Sequence, residues 1–188
     1  LIASTVSDYG KIDAALPGGF PVVLIDRAVE NAPVDVLTTD NSGAIYDGVS
    51  ALIGRGHHRI GLMASVRHLS TTAERVLAYR AALADNAIEA DERLIRYLES
   101  ATDPVQTPAD ALIAEGCTAI VASNNVLTSK LLAARHSGAW PDRDIEILGY
   151  RDPAHGAYPL DDAQWLEEPI GEMGRLAGAH HGERDARR

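Results

Sequence analysis

The sequence predicts an α/β fold, with parallel strands buried beneath helices on both faces. Three observations carry that expectation. Short apolar runs alternate with helix-period patterns along most of the chain, the way parallel sheets with crossover helices read. The residues are 46% hydrophobic and only 5% aromatic, which suits helices packed on aliphatic strands. Glycines close several of the helix patterns, where a βα unit has to turn back.

Taken in order, residues 21–25 (PVVLI) are rich in β-branched side chains and bounded by Gly18-Gly19 and Asp26, so they read as a buried strand. Residues 34–39 (VDVLTT) make a weaker second strand. Residues 42–53 carry helical periodicity, and GRGHH stops that helix and places His57-His58 on the turn into a strand over 59–64. In STTAERVLAYRAALADN, Thr71 and Glu74 have capping-box spacing. Ala73, Val76, Leu77, Ala81 and Ala84 form an apolar stripe there, with Arg75 off it in the first turn.

A strand over 94–98 precedes a helix with Thr107 as its cap, Pro108 at its first position and a stop at Gly116. A strand over 118–123 runs into a helix over 124–138. The apolar run 145–148 then halts at Gly149 and gives way to Arg151-Asp152, and a last helix starts near Pro169.

Composition excludes several functions. Lysine plus arginine total 17 against 27 aspartate plus glutamate, a formal charge of −10 that repels polyphosphate, so this polypeptide by itself is a poor binder of DNA or membranes. One cysteine, Cys117, permits no intrachain disulfide and fits a reducing compartment. No apolar run approaches the roughly 18 residues of a membrane span, and no signal-peptide pattern opens the chain, so a cytoplasmic location is expected. The opening LIAS and the polar HHGERDARR read as cut ends of a longer parent.

Neither GxxxxGK[ST] nor GxGxxG is present, which argues against nucleotide-cleaving and dinucleotide enzymes, and no cofactor is expected. His57-His58 and His180-His181 lack a cysteine or carboxylate at zinc-ligand spacing, so no metal is expected. Ser65, Ser70 and Ser123 lie in no GxSxG elbow, and capping and turn roles account for them.

Ligands of open α/β sheets bind beyond the carboxyl ends of the strands. Those ends read as Asp26, Ser65, Glu99, Ser123-Asn124 and Tyr150-Arg151. Asn124 suits either an N-cap or an amide offering donor and acceptor to a hydroxyl. Arg75 is solvated, or paired with Glu74 or Asp152, or a clamp on vicinal hydroxyls or a carboxylate. Asp26 caps a loop or accepts paired sugar hydroxyls.

An ordered set of segments then narrows the field. PVVLIDR, TTDNSGA, LIGRGHHRIGLMA, LSTTAERVLAYRAAL, AIVASNNVLTSKLL and DIEILGYRD together resemble the lactose-repressor/galactose-repressor family of transcription regulators over about residues 1–152, and EEPIGEMGRLA resembles a later helix of that family. The resemblance implies a periplasmic-binding-protein-like core: two parallel-sheet subdomains joined by crossover connections, the first incomplete here. It divides the chain into an N-terminal subdomain over 1–58, a C-terminal subdomain over 59–164 and a return helix with tail over 165–188.

By position, the resemblance makes Asp26, Thr71, Arg75 and Asn124 effector contacts, the arginine of ER being the most specific match. It implies a sugar or sugar-derivative effector, a homodimer, no catalysis, and DNA contact through a helix-turn-helix outside this chain. A solute-binding protein serving sugar transport, or an α/β sugar-modifying enzyme, is the alternative. One departure stands out: the family's GFDD is here Gly149-Tyr150-Arg151-Asp152. Arg151 replaces an aspartate, so either an anionic effector meets Arg75 and Arg151, or Arg151 swings out or pairs with Asp152 or Asp26 over a neutral-sugar site.

Overall fold

Parallel pairing organises the chain into two sheets. The computed structural model describes all residues except 5, 7, 17–21, 101, 141–143, 152–158 and 186–188. By internal packing the chain forms two units, one of Leu1–Asn41, His68–Thr71 and Glu168–Arg188, the other of Ser42–Arg67 and Thr72–Glu167.

The first unit contains helix α1 (Tyr9–Ala15), strands β1 (Val23–Ile25) and β2 (Asp35–Leu37), and helix α6 (Ile170–Asp185). Strands β1 and β2 pair in parallel, and Ile2 bridges to Leu24 from the other side. Ile12, Val22, Leu24 and Val29 form its core. Helix α1 is absent from the sequence reading, although Asp8 caps it by accepting from the Gly10 amide at 2.9 Å.

The second unit is a five-stranded parallel sheet in the order β4-β3-β5-β6-β7, with β3 at Ile60–Ala64, β4 at Ile95–Tyr97, β5 at Ala119–Ala122, β6 at Glu146–Tyr150 and β7 at Gln164–Leu166. Strand side chains alternate between two faces. Ile60, Leu62, Val121, Leu148 and Tyr150 pack with helices α2 (Asn41–Gly54) and α3 (Ser70–Asp85). Met63, Ile120 and Ile147 pack with α4 (Gln106–Ala114) and α5 (Asn125–His136). At about 1.5–3 kcal/mol for each fully buried aliphatic side chain, these two layers dominate the stability of the unit. Helix α2, placed with residues 1–58 by the sequence reading, belongs by packing to this second unit, because Ile45, Val49 and Leu52 share a core with Ile60 and Leu62.

Three local expectations are corrected. The buried face of α3 is Thr72, Arg75, Val76, Tyr79, Ala82 and Leu83, whereas Ala73, Leu77, Ala81 and Ala84 face solvent. Tyr79 decides the rotation: its ring is fully buried and its hydroxyl donates to the Ile60 carbonyl at 2.7 Å, so a residue that scores as half-polar anchors the face. Helix α3 also starts at Ser70, which puts Thr71 inside the first turn rather than at the cap. Helix α4 begins at Gln106 with Val105 before it and no side-chain cap, so Thr107 is not the cap and Pro108 is the third helical residue. Val105, 5% exposed, anchors that turn by burial instead.

The amino ends of the strands carry a dense ionic network. Arg55 Nη2 donates to Glu146 Oε1 at 2.6 Å, and His57 bridges Glu146 Oε2 at 2.7 Å and Thr118 Oγ1 at 2.8 Å. A carboxylate only accepts, so His57 Nε2 carries the proton facing it. Burial pushes the Glu146 carboxyl up, but the bonds from Arg55 and His57 outweigh it and leave it below its ordinary value. Beside it, Arg93 reaches Asp91 at 2.9 Å and Glu115 at 3.4 Å, and Arg59 reaches Glu115 at 3.2 Å.

Candidate functional site

At the opposite, carboxyl edge of the five-stranded sheet, helix α3 delivers Arg75 and the ends of β5 and β6 receive it. Arg75 is 5% exposed. Its Nη1 donates to the Ser123 carbonyl just beyond β5, and its guanidinium stacks 4.1 Å over the ring of Tyr150 at the end of β6. Ring and carbonyl together fix the plane and the rotation of the fork, a contact in which lysine cannot replace arginine.

Ser123 is 1% exposed and belongs to the scaffold. Its amide donates to the Met63 carbonyl at 3.0 Å, and its hydroxyl oxygen accepts from the Ser65 amide at 3.0 Å, tying the ends of β3 and β5 together. Asn124 follows in extended backbone and caps α5, its Oδ1 accepting from the Leu127 amide at 2.8 Å. The cap engages Oδ1, so the side-chain nitrogen takes no part in it.

The height of α5 on β6 is set by a close approach. Thr128 donates its hydroxyl to the Asn124 carbonyl at 2.8 Å and lies against Gly149. A Cβ on Gly149 would fall 2.7 Å from Thr128 Cγ2 and nearer still to Oγ1. Glycine at 149 therefore lets the helix carrying Asn124 settle next to the strand that ends in Tyr150 and Arg151. Arg151 extends the β6–β7 ladder through its amide, 3.0 Å from the Leu166 carbonyl. Its side chain is 46% exposed and lies 3.8 Å from Glu167 Oε1. Asp152, named from sequence as a partner of Arg75 or Arg151, lies outside the described residues. A second arginine–ring pair, Arg67 at 3.5 Å over Tyr97, stands at the end of β4.

A family model described as periplasmic binding proteins and sugar-binding domain of the LacI family matches residues 1–138. The chain belongs to this family. The HTH-type transcriptional regulator MalR of Streptomyces coelicolor is 24% identical over 182 residues, 94% of this chain and 53% of the relative. A LacI family transcriptional regulator from Mycobacterium smegmatis superposes with a TM-score of 0.80 at 20% identity, covering 97% of this chain and 68% of that one. A transcriptional regulator CelR–cellobiose complex does so at 0.70 and 27%, covering 84% and 50%. The chain spans about half the length of the curated relatives it matches. Its fold is the periplasmic-binding-protein-like α/β fold of LacI-family cores.

Of the five site residues read from sequence, this LacI-family core gathers Arg75, Asn124 and Arg151 at one edge of the second unit. Asp26 and Thr71 belong to the first. Asp26 follows β1 with φ +68°, an uncommon left-handed conformation for a non-glycine residue, and its carboxylate lies 3.3 Å from Arg27 Nε. Thr71 is 6% exposed. Among the described residues no group of three His, Cys, Asp or Glu is arranged to hold a metal ion. Among those residues, no helix is long and apolar enough to cross a membrane. Cys117 is buried, and burial pushes its thiol up to about 11, which keeps it from acting as a thiolate at neutral pH.

Sequence reasoning missed what holds Arg75. The signal was available: alternation along β6 puts Tyr150 on the face of Leu148, the face that α3 covers. Glu167 was missed with its strand, since β7 is three residues long and half-exposed.

Proposed function

We propose that the chain is the effector-binding core of a LacI-type transcription regulator, taking a sugar or sugar derivative at the carboxyl edge of the five-stranded sheet. The observation that carries the reading is Arg75, held nearly buried by the Ser123 carbonyl and the Tyr150 ring within a chain of this family. A guanidinium fixed at a strand-end edge is a preorganised donor fork for a hydroxylated ligand. Within the second unit, Asn124 supplies side-chain N–H donors and Arg151 a further cation. The two units are the two effector subdomains. The complex of CelR with cellobiose supports a sugar as ligand.

The core binds without turning its ligand over. Ser123, at 1% exposure and engaged by the Ser65 amide, has the surroundings of a scaffold residue and not of a nucleophile. Occupancy shifts the population between conformations of the core, and a homodimer in the cytoplasm carries that bias to helix-turn-helix segments, the element that names relatives such as MalR. Those segments contact the operator, since the core itself, at a formal charge of −10, repels DNA.

Thermal-shift screening of mono- and disaccharides, their acids and their phosphates, followed by calorimetry on the hits, tests the reading. Arg75→Lys keeps the charge and loses the planar fork, so affinity should drop about tenfold or more. Binding unaffected by Arg75→Lys, or turnover of any hit, would reject it.

A further inference from the structure

We propose that the carboxyl edge carries a second sugar subsite at the end of β4, built on Arg67 and Glu99, so that the effector is an oligosaccharide of at least two rings. The inference deepens the effector reading above and rests on it. It starts from the register of the sheet. Ile95, Leu62, Val121 and Leu148 stand in one row across β4, β3, β5 and β6. Two residues further along the chain, alternation brings Tyr97, Ala64, Ser123 and Tyr150 to the same face. Both tyrosines pack with the core beneath α2 and α3. The two arginine–ring pairs, Arg67 over Tyr97 and Arg75 over Tyr150, therefore share one face and one height along the strands. Three strand spacings, about 14 Å, separate β4 from β6.

Arg67 is exposed on the loop between β3 and α3. Arg55, Arg59, Arg80 and Arg93 of the same unit each reach a carboxylate. Arg67 differs: among the described residues its contact is the Tyr97 ring, 3.5 Å away. A guanidinium held over a ring has lost much of its rotamer freedom before any ligand arrives, so binding costs it less than it costs a loose surface arginine. Glu99 supplies the acceptor that Arg67 lacks. It is exposed, two residues past Tyr97 and so within about 7 Å of it along the chain. Its turn is fixed by Asp103 Oδ2, which accepts from the amides of Glu99 at 3.0 Å and Ser100 at 2.9 Å. A sugar hydroxyl both donates and accepts, and a guanidinium with a carboxylate answers both needs. One ring seated at Arg75 does not span the distance to β4, whereas a second or third linked ring does.

The test is calorimetry of the 188-residue chain with a panel of glucose, galactose, cellobiose, maltose, lactose and cellotriose, repeated on Arg67→Ala, Glu99→Ala and the double variant. Both positions are exposed, and unfolding midpoints equal to that of the parent chain confirm that the variants fold. At least one oligosaccharide should bind about tenfold or more tighter than its monosaccharide. Arg67→Ala should weaken that oligosaccharide roughly threefold to tenfold and leave the monosaccharide unchanged, and the double variant should close most of the gap. A gap that persists in the double variant, or an equal loss for one ring and two, overturns the inference. So does unchanged binding of every ligand in Arg67→Ala, which would leave the Tyr97 pair a surface contact only. A wider screen whose tightest ligand is a monosaccharide, or its acid or phosphate, also overturns it and leaves the effector reading intact. Absence of binding by the panel and by the wider screen removes the effector reading itself, and this inference with it.

Discussion

The two edges of the five-stranded sheet are built from the same residue types and solve different problems. At the amino edge, Arg55, His57, Arg59 and Arg93 meet Glu146, Asp91 and Glu115 at 2.6–3.4 Å, each cation matched to a nearby carboxylate. At the carboxyl edge, arginines are held instead by a carbonyl, by the faces of Tyr150 and Tyr97, and by one loose contact at 3.8 Å. Charge matched at close range is structural, and its energy is realised on folding. A carbonyl and a ring face fix the direction and the plane of a guanidinium, so the contacts described for Arg75 and Arg67 orient their charge. The proposed site accordingly rests on what holds each arginine rather than on how many there are.

The largest expected effect comes from the packing beneath the carboxyl edge. Gly149→Ala should cost about 1–3 kcal/mol in denaturant unfolding and weaken ligand binding as well, because the added methyl pushes α5 and Asn124 off β6. Thr128→Ala in the same chain should recover part of both. Loss of stability with ligand affinity unchanged would show that α5 does not set the site.

Next comes the amino edge. Glu146→Gln should destabilise the unit by about 1–2 kcal/mol at neutral pH, through weakened charge-assisted bonds from Arg55 and His57, and leave ligand affinity alone. Because the folded state holds the Glu146 carboxyl below its ordinary value of 4.5, its contribution is present above that pH and fades as pH falls through the lower folded-state value. Acid titration of stability should accordingly be shallower in Glu146→Gln below about pH 4.5.

A finer separation concerns the ring under Arg75. Tyr150→Phe keeps the π face and should change ligand affinity by less than about twofold, whereas Tyr150→Leu should lose roughly threefold to tenfold with the cation–π contact. Equal losses in the two variants would assign the role of Tyr150 to its hydroxyl. The smallest effect is on stability alone: Arg151→Gln should shift unfolding by no more than about 0.5 kcal/mol, as an exposed pair implies.

Much of this fold was legible because aliphatic strands between helix patterns have few other readings. Strands β1 to β6 fall where the apolar runs predict them, and Asn124 is both the cap and the strand-end residue that its position implies. What failed has physical causes. Strand β7 is three residues at the sheet edge, with one exposed and two half-buried, so no buried run announces it. The rotation of α3 was misjudged because its five small or aliphatic residues formed a tidy stripe, while the true face mixes Val76 with Thr72, Arg75 and Tyr79. That mixture is itself informative. A helix that buries an arginine between a core valine and a core tyrosine is departing from amphipathic pattern at the position proposed to serve the ligand.

The contrast between the edges is settled by mapping amide chemical shifts on titration with the tightest-binding probe of the panel. Perturbations centred on Ser65, Ser123, Asn124 and Arg151, with His57, Thr118 and Glu146 unmoved, are the expected result. Shifts centred on His57, Thr118 and Glu146 would contradict it and make the ion-paired edge the binding surface.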